Sequence, residues 1–505
     1  MDAAEAEAVD FLIARAGGPD ATRLISTHIS RVVIGPDVVF KLKRPVRLAY
    51  LDFSTPERRL AFCQQEYRLN RRSDPQGRIY RGVRRITRQE NGSLTFDEAG
   101  DLVDAVVEMR PFDNDRLLDR LAAEGPLAPA LVETLAGAIA GLHAGAAVLA
   151  DGAGAARMGC VLDINAAAFT TSGLLGRDGA ARLDGLFRAA LDRHAALLDS
   201  RAAAGRVRRG HGDLHLRNIC LIDGDPVLFD CLEFDEDLAT TDLLYDLAFL
   251  VMDLWHRGQT GAANLLMNRY ADRMGEREGL ALMPFLVAVR AAVRAHVLAA
   301  AARDPDTPGR QAILGEAWDY VRLAEEALAA HGPRLVAVGG LSGSGKSSLA
   351  AALAPQIAPL PGARTLNSDR LRKAMFNAEP EARLGPQAYR PEVSEQVYRR
   401  MREEAAALLA AGVPVLADAV HARPDERAAI EAVAVAAGVP FLGIWLDLPA
   451  DQLKARVTAR QGGPSDATAE TVEQQLGYEL GPIGWLRLDS AHERAELVAG
   501  LRPML

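Results

Sequence analysis

Residues 335–353 constrain this chain more than any other stretch. A buried-strand pattern, Leu335-Val-Ala-Val338, runs into Gly340-Leu-Ser-Gly-Ser-Gly345-Lys346-Ser347, and a helical pattern from Ser347 to Leu353 leaves it. Glycines at this spacing let successive backbone N–H groups face one concavity, and the helix N-terminus adds partial positive charge. The set Gly340, Ser342, Gly343, Ser344, Gly345, Lys346, Ser347 and Ser348 is therefore a candidate cradle for a nucleoside triphosphate. Lys346 would reach the β/γ-phosphates and the Ser347 hydroxyl would join a Mg²⁺ shell.

The strand–loop–helix unit opens a repeating order of strands and helices that runs from residue 333 onward, which predicts a doubly wound parallel sheet. Its second strand, Arg364-Thr-Leu366, ends at Asn367-Ser-Asp369-Arg370, and ligands in such sheets sit at strand ends. Asp369 is placed to accept a proton from an acceptor hydroxyl, with Arg370 or Arg372 holding its charge. A third strand, Val413 to Ala417, delivers Asp418, a candidate Mg²⁺ partner through water; a fourth, Phe441 to Leu446, ends at Asp447. Arg456 and Arg460 lie four apart on a predicted helix and face one way, before the segment Gln461 to Ala467, which reads as mobile. Two arginines on a closing lid can stabilise charge spreading over a transferred phosphoryl group.

A second phosphate-handling pattern lies upstream. His211-Gly-Asp213-Leu-His-Leu-Arg-Asn218 is followed by a hairpin, Ile219–Ile222 and Val227–Phe229 around Asp223-Gly-Asp-Pro226, and then by Asp230. An Asp, an Asn five residues on and an Asp after a hairpin resembles the catalytic loop of eukaryotic-type kinases. The resemblance implies Asp213 as base and Asn218 with Asp230 as Mg²⁺ ligands. His211 reads as a structural histidine holding the loop. Residues 233–237 read partly as a solvated acidic face, with Glu233 alone near the metal.

Residues 24–110 carry short β-type runs around one strong helix, about Thr55 to Arg72, and residues 114–330 are mostly helical. That is the pattern of a small β-rich lobe (about 1–110) followed by a large helical lobe (about 111–328). The kinase likeness implies a lysine on the third strand paired with a glutamate on the helix: Lys41 and Glu66 match best, and Lys43, on the same face of the strand, is the alternative. Val106 to Pro111 would be the hinge that meets adenine. There is no Gly-x-Gly-x-x-Gly loop before Lys41, and no Ala-Pro-Glu segment that would suit a protein substrate.

With Asp242-x-x-x-Asp246-Leu-Ala248 and Leu142-His143 added, residues 1 to about 325 resemble the aminoglycoside-phosphotransferase-like branch of the kinase superfamily. In that branch the last Asp pair braces the hairpin. Residues 333–490 resemble the small P-loop kinases that include gluconate, shikimate and polynucleotide 5′-hydroxyl kinases. The tandem order resembles a family of bacterial two-domain predicted kinases. The expectation is thus an α+β kinase-like domain (1–328) followed by an α/β P-loop domain (333–505). Together they would form an ATP- and Mg²⁺-dependent, bifunctional transferase acting on hydroxyls of small molecules. The alternatives are that one half binds nucleotide and regulates the other, or that the second half phosphorylates polynucleotide 5′-hydroxyls.

Composition bears on partners. The net charge is −9, and residues 333–505 hold 19 basic against 20 acidic residues, so no basic excess favours a nucleic acid. The acidic start Met1-Asp-Ala-Ala-Glu does not resemble a signal peptide. No apolar run is read as long enough for a bilayer, since Phe285–Ala302 is broken by Arg290, Arg294 and His296 and reads as a packed helix. Cys63, Cys160, Cys220 and Cys231 form no Cys-x-x-Cys pair and are read as buried thiols in a reducing cytoplasm.

Overall fold

A computed structural model describes residues 3–48, 51–233, 235–379, 382–459 and 465–505. Two compact units emerge: residues 1–161 with 193–257, and residues 162–192 with 258–505.

The first unit is built on a six-stranded antiparallel sheet. Its strands are β1 (Arg23–Ser26), β2 (Ser30–Ile34), β3 (Val39–Lys43), β4 (Tyr80–Arg88), β5 (Leu94–Phe96) and β6 (Asp101–Met109), in the spatial order β1-β2-β3-β6-β4-β5. Alternation along β3 decides what lies where. Phe40 and Leu42 point to a core with Val9 and Leu12 of helix α1 (Ala3–Arg15). Val39 points to the opposite core, which holds Cys63 of helix α2 (Pro56–Ser73), so Lys41 and Lys43 also face α2. Helix α2 starts where Thr55 caps it, its hydroxyl accepting from Arg58 N, with Pro56 in the first turn. A mostly helical part follows. It includes α3 (Pro129–Ala144), the hairpin β7 (Ile219–Ile222) and β8 (Asp225–Leu228), and α4 (Leu243–His256), which is almost wholly buried.

The second unit contains a five-stranded, fully parallel sheet of β9 (Leu335–Gly340), β10 (Arg364–Asn367), β11 (Val415–Asp418), β12 (Phe441–Asp447) and β13 (Leu486–Asp489), in the order β10-β11-β9-β12-β13. This is the doubly wound sheet of a P-loop fold, with β9 at its centre. Its edge strand β10 is covered by side chains of helix α5 (Thr260–Met274). Asn264 Nδ2 donates to Pro361 O (3.0 Å) and Ala363 O (3.1 Å), and Asn268 Oδ1 accepts from Thr365 N (2.8 Å). Arg364 completes the cover with an ion pair to Asp272 at 2.5 Å. Unpaired edge groups are thereby satisfied, which is why residues 258–331 group with the parallel sheet by compactness.

Two expectations are corrected. By length and composition Glu278–Ala301 could cross a bilayer, contrary to the reading that no run is long enough, but 72% of its apolar window is buried, in keeping with the packed helix expected there. Cys160 is exposed, whereas the other three thiols are buried as expected; all four are free. Burial pushes the thiol of Cys63 up to about 12, which leaves it inert.

Candidate active sites

In the first unit, alternating charges run through the face between β3 and α2. Lys41 Nζ lies 2.8 Å from Glu66 Oε1 and 2.5 Å from Asp230 Oδ1. Lys43 Nζ contacts the other oxygen of Glu66 and also Glu233. Burial works against the charge on Lys41, but Asp230, Glu66 and Glu233 together raise its pKa well above the ordinary lysine value. Burial would likewise raise Glu66, yet Lys41 and Lys43 hold it well below the usual carboxylate range. Lys43 is fully buried, whereas the Lys41 side chain keeps 15% of its surface exposed beside Asp230.

The loop 210–218 is held from behind. Asp246, at the start of α4, accepts from His211 N (2.7 Å) and Gly212 N (2.9 Å), and pairs with His143 Nε2 at 3.0 Å. Two turns further along the same face, Asp253 accepts from Leu216 N (3.0 Å). His211 Nε2 meets Phe229 O at 3.0 Å, tying the loop to the hairpin's end. Asn218 Nδ2 donates to Asp213 O (2.9 Å) and Asp213 Oδ2 (3.0 Å), with His215 Nε2 at 3.4 Å from the same oxygen. Asp230 adopts a left-handed backbone (φ 62°), its N–H donating to the Tyr80 hydroxyl at 3.1 Å. Among these packed groups the side chains of Asp213 (41%) and Asp230 (42%) stay substantially exposed.

In the second unit the phosphate loop joins β9 to helix α6 (Lys346–Leu353). Gly343 is required there: its φ is 88° and a Cβ would lie 2.5 Å from Leu453 O. Ser342 and Ser344 are buried, while Ser347 and Ser348 are exposed at the helix start. Ser342 N donates to Gln475 Oε1 at 2.8 Å, and Lys346 Nζ donates to Leu341 O at 2.9 Å. Asp418, at the end of β11, accepts from Asn367 Nδ2 at 2.6 Å. Burial raises its pKa, opposed by Lys346 and by hydrogen bonds from Ser347 and Asn367. Asp369 is also raised by burial, against a hydrogen bond from Ser465.

The structure thus brings together Lys41, Glu66 and Asp230, joins Asp213 to Asn218, and clusters Lys346, Ser347 and Asp418. Asp369 lies in the same electrostatic neighbourhood, with Lys346 and Asp418 among its influences. Arg372 is turned to Ala388 O (2.6 Å) and stacks over Tyr389, and Arg370 lies 3.9 Å from Asp272. Arg456 Nη2 donates to Ser490 O (3.0 Å), and its Nη1 would lie 3.8 Å from a Cβ on Gly345. Arg460 and residues 461–464 lie outside the described residues. Glu233, expected near the metal, is buried and tied to Lys43. Asp253 was legible in principle, since it falls seven residues after Asp246 on one helix face. Gln475 carries no sequence signal that ties it to the loop.

The candidate metal donors are the Asn218 amide oxygen and Asp230 in one site, and the Ser347 hydroxyl and Asp418 in the other. All are hard oxygen ligands, few per site, which fits Mg²⁺ held jointly with phosphates. Among the described residues no cluster of three or more His, Cys, Asp or Glu side chains could hold a metal unaided.

Fold and site together define a phosphotransferase with a kinase-like part and a P-loop part. Residues 58–286 match the model of the phosphotransferase enzyme family, and residues 335–479 match that of an AAA domain. The chain is 30% identical over 487 residues to the uncharacterized protein Rv2004c of Mycobacterium tuberculosis, covering 94% of this chain and 93% of that protein. It belongs to the family of that protein. It is also 34% identical over 117 residues to an adenylyl-sulfate kinase of Myxococcus xanthus, covering 23% of this chain and 59% of that enzyme. Among solved structures, a choline/ethanolamine kinase family protein from Mesorhizobium loti superposes with a TM-score of 0.40 at 15% identity, covering 65% of this chain and 94% of that one.

Proposed function

We propose that the chain is a bifunctional, ATP- and Mg²⁺-dependent phosphotransferase whose domains, 1–328 and 333–505, each phosphorylate a hydroxyl of a small molecule. The carrying observation is the exposure of Asp213 and Asp230 in a loop otherwise buried and braced. Two accessible carboxylates, one steadied by Asn218 and one facing Lys41, are what a proton acceptor and a phosphate-proximal ligand require.

In the first domain Lys41, oriented by Glu66, neutralises the α/β-phosphates. Asp213 takes the proton of the acceptor hydroxyl as its oxygen bonds to the γ-phosphorus and the bond to the β-phosphate oxygen breaks. In the second, the backbone N–H groups of residues 343–348 and Lys346 hold the phosphates, Asp369 takes the acceptor proton, and Arg456 and Arg460 supply positive charge for the transferred group. Bound Mg²⁺, held by Asn218 and Asp230 or by Ser347 and Asp418, would neutralise phosphate charge. Catalysis at both rests on positioning and preorganised charge. Cytoplasmic location and small-molecule partners complete the reading, with a polynucleotide acceptor for the second domain the less favoured case.

The test is ADP release from Mg²⁺-ATP over a panel of sugars, sugar acids, amino alcohols, aminoglycosides and 5′-hydroxyl oligonucleotides, for wild type, Asp213→Ala and Lys346→Ala. Two acceptors, each lost in one variant only, are expected. Loss of all turnover in one variant, with the other merely retuning it, would make one domain a regulator and overturn the bifunctional reading.

A further inference from the structure

The Lys41–Glu66 pair does not stand alone. A second lysine two residues on, Lys43, reaches the free oxygen of Glu66 and at the same time Glu233, three residues beyond Asp230. The five side chains form one chain of contacts, Asp230–Lys41–Glu66–Lys43–Glu233, whose signs alternate. Its two ends differ. Asp230 is 42% exposed and Lys41 15%, whereas Lys43 and Glu66 have no exposed side-chain surface and Glu233 has 5%. Lys43 also lies over the Phe53 ring, 5.7 Å from its centroid. Among the described residues it has no surface open to a ligand.

A buried ammonium is costly unless it is paired on more than one side. The arrangement around Lys43 meets that condition with two carboxylates from different elements, one on α2 and one after the hairpin. The consequence concerns the nucleotide-bound state. Under the function proposed above, Lys41 turns to phosphate and Asp230 to the metal, so the Lys41–Asp230 contact is given up and Glu66 alone is left to orient Lys41. Glu66 would then lose its hold on Lys41 unless a second cation kept it in place.

We infer that Lys43 is a positioning residue: through Glu66 and Glu233 it latches helix α2 to the segment after Asp230, so that Glu66 stays aimed at Lys41 while the phosphates bind. Lys43 itself touches no substrate. This rests on the reading of the first domain as an ATP site.

The test uses the full chain carrying Lys346→Ala, which silences the second site, and measures binding of Mg²⁺-ATP and of adenosine by calorimetry. Lys41→Ala first establishes the site: if ATP affinity does not respond to it, the proposed function fails there, independently of the latch. With the site established, the double variant Lys43→Met/Glu233→Gln removes both charges together and avoids stranding one in the core. It is expected to lose about tenfold in ATP affinity while binding adenosine as before, because only phosphate contacts depend on Lys41. Adding Lys41→Ala to it should cost less than threefold more, since both act through one contact. Unchanged ATP binding overturns the latch. So does an equal loss for ATP and adenosine, the mark of a merely structural role. If the double variant does not fold, Glu233→Gln alone is judged on the same ratio, with about a threefold selective loss expected and no change overturning the inference.

Discussion

Gly210 is packed directly against Asp246: a Cβ added to the glycine would lie 2.5 Å from Asp246 Oδ2 and 2.9 Å from its Cγ. The carboxylate needs that closeness, because it collects the N–H groups of His211 and Gly212 and so sets where Asp213 stands. The loop 210–218 and helix α4 therefore share, besides the Asp253–Leu216 hydrogen bond, a contact that a single methyl group breaks.

Gly210→Ala should destabilise the protein by about 1–3 kcal/mol through overpacking and remove turnover at the first site. Asp246→Asn keeps the shape but loses the charge-assisted hydrogen bonds, and should retain a small part of the activity. Thermal melting and ADP release in a Lys346→Ala background check both. Full activity in Gly210→Ala would show that the loop tolerates displacement from α4.

Arg456 is exposed, bonds Ser490 O and lies close to Gly345 of the phosphate loop. If its guanidinium serves the transferred phosphoryl group, Arg456→Ala should lower the second site's turnover by about a hundredfold or more. ATP affinity should stay within about threefold and the melting temperature unchanged, because the interaction strengthens only as charge develops. Equal losses in affinity and turnover would assign the residue to ground-state binding. The separate contribution of Arg460 is expected to follow the same kinetic pattern.

His421 gives a stability test with a definite sign. Its ring is 1% exposed, between Tyr398 and Trp485, and neither ring nitrogen has a hydrogen-bond partner among the described residues. Burial, with Lys346, Arg427 and Arg402 nearby, pushes its pKa from 6.5 down to about 3. The folded chain thus refuses a proton that the unfolded chain accepts. The contribution is intact above pH 6.5 and is lost progressively as pH falls toward 3. At pH 5 the loss from this group is on the order of 2 kcal/mol. His421→Asn suits the positive φ of 46° and does not titrate. Its urea midpoint should fall less than wild type's between pH 7.5 and pH 5; equal falls would show that the ring is protonated in the folded state.

The hairpin before Asp230, the strand–glycine loop–helix unit at Leu335–Leu353 and the placing of Asp369 and Asp418 at or just after strand ends were legible because each is local. A turn, a helix start or a strand end is dictated by a few adjacent residues, and chemistry placed there is read from spacing alone. Alternation along Val39–Lys43 likewise put both lysines on one face. It could not divide their labour.

That division was decided by tertiary contact. Lys41 lies beside Asp230, 189 residues away, and Lys43 is sealed against Glu233, 190 residues away, and no local rule links such positions. The same holds for the exposed Cys160 and for α5, whose asparagines cover the edge of the parallel sheet. The sequence by itself determined where the glycine loop, the hairpin and the strand ends fall, because backbone geometry and side-chain spacing are local properties. Only the tertiary structure decided which charged groups stay exposed and which are buried against one another, because burial and pairing depend on what the rest of the chain brings to each side chain.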